Sequence, residues 1–441
     1  MTHGSLWDKI LLYALPVAAT GILQQLFNAA DIAVIGKFVG KEAMAAVGSN
    51  SPVIGLLVNL FVGLALGTNV VLATALGSGN RETVHRGVHT SLLVALLGGL
   101  CMTAVGELAA SPLLHLLGVP PEVLDMAVLY LRVYMLGMPV IMLYNFAAAI
   151  FRSEGNTRMP LIALTISGVI NVGLNVFFVL VLHMTVNGVA LATVLSNLIS
   201  ASILIVKLSR SESEIRLEWR ELRLSLPILK KIMRIGIPAG LQNMVFSLAN
   251  VVIQSAINSL GATVMAASAA GFNLEIFAYF VLNSFTQACT TFVGQNNGAG
   301  ERERCRRTLK TSLLLDAAFT AATCLLILAF SRPLLGLFNS DPEVIAVGQV
   351  RMRWMFSAYG FNLLQEMFSA YMRGYGYSLE PALMSLLGIC GTRLLWIFLV
   401  FPRNPVFSTV MKVYPISLGL SALLIIGVVL WKRPGEKRVV S

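Results

Sequence analysis

Charge is what this 441-residue sequence has least of: Asp, Glu, Lys and Arg together make up 12% of it. Soluble globular chains carry about 25%, so an ordinary soluble enzyme, a disordered chain and a coiled coil are excluded. Acid is scarcer than base, 21 residues against 32, which leaves a net charge of +11. The basic residues sit in short loops between apolar runs rather than on one continuous face. No nucleic acid partner is therefore expected, and positive loops along one side of a membrane explain the excess. Cysteine is also sparse. Cys101, Cys289, Cys305, Cys324 and Cys390 form no CxxC pair, so they read as small core residues and one loop thiol rather than disulfides or metal ligands. The histidines, His3, His85, His89, His115 and His183, lack zinc-ligand spacing. The glycine-rich stretches GSGN and NNGAG lack the Gly-Lys-Ser/Thr of a phosphate loop, which leaves no nucleotide site. No metal and no cofactor are expected, and no clustered His, paired acids or activated nucleophile marks an enzyme. The opening MTHGSLWDK has no basic n-region, and no small-residue cleavage site follows the first apolar run, so a cleaved signal peptide is not expected.

Apolar length is abundant: hydrophobic residues make up 56% and the mean hydropathy is +0.79. A span needs about 20 largely apolar residues. Twelve such stretches can be drawn, near 10–36, 52–77, 87–110, 122–151, 160–182, 187–207, 233–258, 264–295, 308–331, 343–372, 381–401 and 410–431. Of the 32 basic residues, 23 fall on one side of this threading, from Lys9 through the central loop to Arg438, and five fall on the other. That bias places both termini in the cytoplasm and requires an even number of spans. The one long linker, 208–232, reads as an amphipathic connector, with Ser211 and Glu214 as the capping box of a short helix.

The strongest signal is an internal repeat at an offset of 221 residues. Gly40 and Met44 recur as Gly261 and Met265, Thr90-Ser91-Leu92-Leu93 as Thr311-Ser312-Leu313-Leu314, and Pro121-Glu122-Val123 as Pro342-Glu343-Val344. Arg152, Gly155 and Pro160 recur as Arg373, Gly376 and Pro381. Six spans per repeat give both halves the same orientation, a parallel repeat of the kind that alternating-access transporters use. The expected fold is an all-α polytopic membrane protein with twelve transmembrane helices in two six-helix lobes, 1–207 and 233–441, joined by the linker 208–232.

The segments LPVAATGILQQLFNAADIAVIGKFVG, GSGNRETVHRG, FRSEGNTRMP, INVGLNVFFVL and NGVALATVLSN resemble the multidrug and toxic compound extrusion (MATE) transporters, as do IPAGLQNMVFSLAN, FVGQNNGAGERER and MRGYGYSLEP in the second half. The resemblance runs from about residue 10 to residue 430 and rests on the order, spacing and duplication of motifs that are individually weak. It implies export of cationic, amphipathic compounds in exchange for H+ or Na+. The expected setting is the lipid bilayer of the plasma or inner membrane, and the expected state is a monomer. The alternative from the same superfamily is a flippase for a lipid-linked oligosaccharide or other lipid, which would favour a strongly basic cavity.

Asp31 is a carboxyl group inside the first span, which is costly in hydrocarbon and usually functional. Gln24, Asn28 and Asp31 share one helix face at i, i+4 and i+7. Asn171 and Asn175 share a face of the fifth span, and Thr193 lies in the sixth. The resemblance implies that Asp31, Asn171, Asn175 and Thr193 build a cation site, with oxygen ligands that suit a hard cation. Many members carry an aspartate where this chain has Asn175, which leaves the coupling ion open. In the second half Asp31 corresponds to Ile253. Asn243, Asn250 and Gln254 line one face there, and Glu275 with Tyr279 is the expected charged element of the substrate cavity. Arg152 and Arg373, at matching helix ends, are candidate gates.

Overall fold

The computed structural model describes residues 1–435, which include every candidate site residue named above. Lys437 and Arg438 of the basic tail lie outside the described residues. With no water in a bilayer core, backbone N–H and C=O groups must pair within the segment, and apolar runs of this length do so as helices. The first half forms α1 (Trp7–Phe38), α2 (Lys41–Gly77), α3 (Arg81–Leu116), α4 (Pro121–Leu136), α5 (Met138–Glu154), α6 (Arg158–Val176) and α7 (Val186–Ser209). The second half forms α8 (Leu226–Asn258), α9 (Ala262–Gly298), α10 (Arg302–Ala329), the short α11 (Ser331–Gly336), α12 (Pro342–Ser357) and α13 (Tyr359–Gly374). It continues through α14 (Leu379–Ser385) and α15 (Thr392–Leu395), with widened turns beside both, to α16 (Phe407–Lys432).

The repeat is visible in the helix boundaries. Lys41–Gly77 becomes Ala262–Gly298, and Pro121–Leu136 becomes Pro342–Ser357, each shifted by the offset of the sequence repeat. Gly155 and Gly376 close α5 and α13 at φ +100° and +85°, a left-handed conformation that costs a side chain but not glycine. Ten of the helices among the described residues are long and apolar enough to cross a membrane. The pair α4 and α5 passes the same test taken together, bent by 49° where Gly137 and Pro139 interrupt the ladder. The remaining expected span, 343–372, the tenth in chain order, is helical as α12 and α13. It is more polar than the rest because it carries Arg351, Arg353 and Glu366.

The helices pack into two compact units that do not follow the boundaries drawn from the sequence. One unit is Ala19–Gly236; the other joins Met1–Ala18 to the chain from Ile237 onward. Each unit thus takes the first part of a long helix from the other half of the sequence. In the second unit Ile10, Tyr13 and Ala14 are buried against Phe285, Phe292 and Tyr371, and the Tyr13 hydroxyl meets Thr291 Oγ1 at 2.8 Å. In the first, Ile228, Ile232 and Ile235 cover Val70 and Val71.

The capping box expected at Ser211 does not form. Ser211 Oγ instead accepts from the backbone N–H of Ser213, and Glu214 pairs with Arg81 at 2.9 Å. No helix starts there: Ser213 to Arg216 close a single turn, and Ile215 and Leu217 are drawn into the core beneath α3 and α7. The only regular turn of the linker is Trp219–Glu221, held by His89, whose Nε2 lies 3.0 Å from the backbone of Glu218.

Candidate functional site

In the first unit, α1 carries Asp31 against α6 and α7. Gly168 on α6 provides the space: a side chain there would collide with the ring of Phe27, one turn before Asp31. Asn171 and Asn175, on the buried face of α6, are 5% and 0% exposed. Asn175 Nδ2 donates to Asp31 Oδ1 at 2.5 Å and to Asn171 Oδ1 at 3.2 Å. Thr193 Oγ1 on α7 lies 3.4 Å from Asp31 Oδ2 and 3.0 Å from the carbonyl of Val189. Asn175 Oδ1 is buried and has no partner. No basic side chain among the described residues pairs with Asp31. The four residues grouped on sequence grounds therefore do come together, and they present carboxylate, amide and hydroxyl oxygens around one acid. That donor set is suited to a proton or a small hard cation.

Sequence reasoning missed two neighbours. Tyr130 and Tyr134 on α4 stand close enough to feel the charge of Asp31, with ring centroids 6.2 Å apart and planes inclined by 27°. Their i, i+4 spacing in the fourth span was the available signal. Gln24 and Asn28 are exposed on the surface of the unit and do not join the cluster.

The second unit arranges its charges differently from the expectation. Glu275, expected as a cavity acid, is 5% exposed and is held by Arg351 of α12 in a two-pronged ion pair. Arg351 Nε donates to Oε1 at 2.8 Å and Nη2 to Oε2 at 2.9 Å. Tyr359 donates to the Glu275 carbonyl at 3.2 Å. Bidentate pairing compensates the charge of the acid and fixes its rotamer. The sequence could not show it, because Arg351 is 76 positions away. Tyr279, one turn after Glu275 on α9, is 41% exposed and neighbours Asn283, Glu366 and Arg373. Arg393, 5% exposed, lies over the Tyr414 ring at 4.8 Å and donates to Asn250 Oδ1 at 2.8 Å. Asn243 is half-buried, and Gln254 donates to Asn258 at 2.8 Å on the unit's surface.

The two candidate gates differ. Arg373 is 9% exposed, donates to Gln242 Oε1 at 2.8 Å and faces Glu366 at 4.0 Å. Arg152 is half-buried on α5, and the repeat puts Asn145 where Glu366 stands. The pair shares a position without sharing an environment.

Comparison with known proteins agrees with this architecture. The chain is 25% identical over 451 residues to the probable multidrug resistance protein YoeA of Bacillus subtilis (strain 168), covering 99% of this chain and 96% of that protein. It is 27% identical over 396 residues to the probable multidrug resistance protein NorM of Thermotoga maritima, covering 88% and 84%. Its fold is similar to a solved outward-facing multidrug resistance MATE family transporter of the MOP superfamily, with a TM-score of 0.87, 23% identity and coverage of 98% and 96%. The MatE family model matches twice, over residues 16–177 and 238–399. The second match falls 222 residues after the first, in step with the internal repeat, and the chain is a multi-pass membrane protein that belongs to the MatE family of transporters.

Proposed function

We propose that this protein is a secondary active antiporter that exports cationic, amphipathic drugs or toxic metabolites in exchange for H+ or Na+ by alternating access, as a monomer with both termini in the cytoplasm. The observation that carries the proposal is the environment of Asp31: one acid, no basic partner, and the oxygens of Asn171, Asn175 and Thr193 around it. A group of this kind changes charge by one whenever its ion leaves, which is the exchange that antiport needs. The names of the multidrug resistance relatives support the substrate class. The excess of basic residues on one side of the threading supports the orientation.

A second reading, the lipid or oligosaccharide flippase, is favoured by one observation. Arg393 has no acidic partner among the described residues, and its hydrogen-bond partner Asn250 is exposed. An anionic headgroup would suit that cation.

The test uses purified protein in proteoliposomes with a fluorescent organic cation, imposing a pH gradient and a Na+ gradient separately. Wild-type protein should move the dye under one of them. Asp31→Asn should abolish gradient-driven movement while leaving dye binding in place, and Asn175→Asp should strengthen Na+ dependence. Wild-type rates in Asp31→Asn under both gradients would refute the reading. Dye movement blocked by an anionic lipid headgroup would favour the flippase.

A further inference from the structure

The second unit holds an acid that the transport site above does not use. Asp316 lies midway along α10 and is 0% exposed. Thr320 Oγ1 donates to its Oδ1 at 2.8 Å, and its Oδ2 has no partner. No Lys, Arg or His among the described residues lies within ion-pair distance of it. One turn earlier on the same face, Ser312 is also buried, with its hydroxyl beside the Cys289 thiol of α9. Ser312, Asp316 and Thr320, at i, i+4 and i+8, form a buried polar stripe on α10. The repeat position of Asp316 in the first half is Ala95, so the chemistry belongs to this unit alone.

The groups that face Asp316 narrow what it can bind. The Cys289 thiol comes from α9 and Glu366 from α13. Arg373 and Tyr279 lie beyond Glu366. Arg351 on α12 is engaged with Glu275. Glu366 acts on Asp316 as a like charge, and no ion pair among the described residues holds Asp316, so the acid does not serve a structural salt bridge. An ionised carboxylate in such a place is too costly to stand alone, and the group takes up a proton or a counter-ion instead. Two hydroxyls and one carboxyl are too few oxygens for a hard cation, which takes about six.

We propose that Asp316 is a second proton-binding group, distinct from Asp31, which takes up and releases one proton in each transport cycle with Glu366 as the adjacent carboxyl. On uptake an O–H bond forms at the unpartnered Asp316 Oδ2 as an O–H bond of a hydronium ion from the aqueous phase breaks, and on release that proton returns to water. Arg373, 4.0 Å from Glu366, compensates the acid whenever Glu366 is ionised.

The first test does not depend on substrate. Infrared difference spectra of the full-length protein in lipid, recorded across a pH titration, report protonated carboxyl groups through their C=O stretch. Asp316→Asn should delete one titrating carboxyl band. Thr320→Val keeps the acid, removes its one donor, and should move both the frequency and the midpoint of that band. In proteoliposomes, Asp316→Asn should lower the number of protons moved per organic cation by one, while Asp31→Asn acts on gradient coupling by itself. Three results would overturn the proposal: no band lost in Asp316→Asn, a band lost that does not titrate, or an unchanged proton count. If Asp316→Asn fails to fold, the spectrum of Thr320→Val still decides. Failure of the Asp31 reading would leave the infrared result standing.

Discussion

Replacing Glu275 by Gln tests whether the acid serves packing or transport. Gln keeps the volume and one acceptor oxygen but removes the charge, so the Arg351 guanidinium, 5% exposed along its side chain, loses its counter-ion. Its remaining contacts are Ser268 at 3.4 Å and the Tyr414 ring at 5.9 Å, neither of which carries negative charge. Breaking a buried pair by removing one partner costs about 3–5 kcal/mol, because the other charge stays buried. The retained hydrogen bond places Glu275→Gln toward the lower end of that range. Removing both charges, as in Glu275→Leu with Arg351→Met, relieves the penalty and should return stability to within about 1 kcal/mol of wild type. With each single removal costing about 3 kcal/mol or more, the non-additivity of the cycle built on Glu275→Leu and Arg351→Met should be about 5 kcal/mol, above the about 0.5–3 kcal/mol usual for coupled neighbours. Equilibrium unfolding in mixed micelles measures the stabilities, and dye transport in proteoliposomes measures the function. A packing role predicts a stable, active double variant. Full stability in Glu275→Gln together with lost transport in the double variant would refute the reasoning and make Glu275 a transport residue.

Gly168→Val should displace Phe27 and draw Asp31 away from Asn175, weakening gradient-driven transport and costing about 1–3 kcal/mol of overpacking; unchanged transport would show that α1 reaches the cluster by other contacts. Arg81→Glu removes an ion pair that is largely exposed on the arginine side, so stability should change by less than about 1 kcal/mol. The same change should speed limited proteolysis within the linker, and an unchanged cleavage rate would mean that His89 and the buried Ile215 and Leu217 hold the segment on their own.

Much of the fold was legible because the bilayer imposes strong rules. Long apolar runs gave the helices, the 221-residue offset returned in the boundaries of α2 and α9, and the polar residues Asp31, Asn171, Asn175 and Thr193 stood out against hydrocarbon. Charge pairs were not legible, because a sequence shows which acids lie in spans and not which arginines reach them. Glu275 with Arg351 looks from the sequence like two independent charges, and the i, i+4, i+8 spacing of Ser312, Asp316 and Thr320 does not show that Asp316 is buried with no basic partner. The linker was misread for a related reason. Ser211 and Glu214 fit a helix start locally, but Ile215 and Leu217 are buried after a single turn that does not continue as a helix.

The exchange of helix beginnings between the two units bears on how such a chain could arise. A lone repeat cut at residue 207 would expose Val70 and Val71, since Ile228, Ile232 and Ile235 come from the other half of the sequence. It would also leave Ile10, Tyr13 and Ala14 with no surface to rest on, because Phe285 and Phe292 are equally distant in sequence. Two identical copies could satisfy both needs by trading these segments, as domain-swapped dimers do at low cost. A gene duplication and fusion would then have made permanent an exchange that its unfused ancestor already used. The same logic sets a practical rule for split-chain experiments: co-expressed halves should assemble, and either half alone should aggregate through the surface its missing segment would have covered.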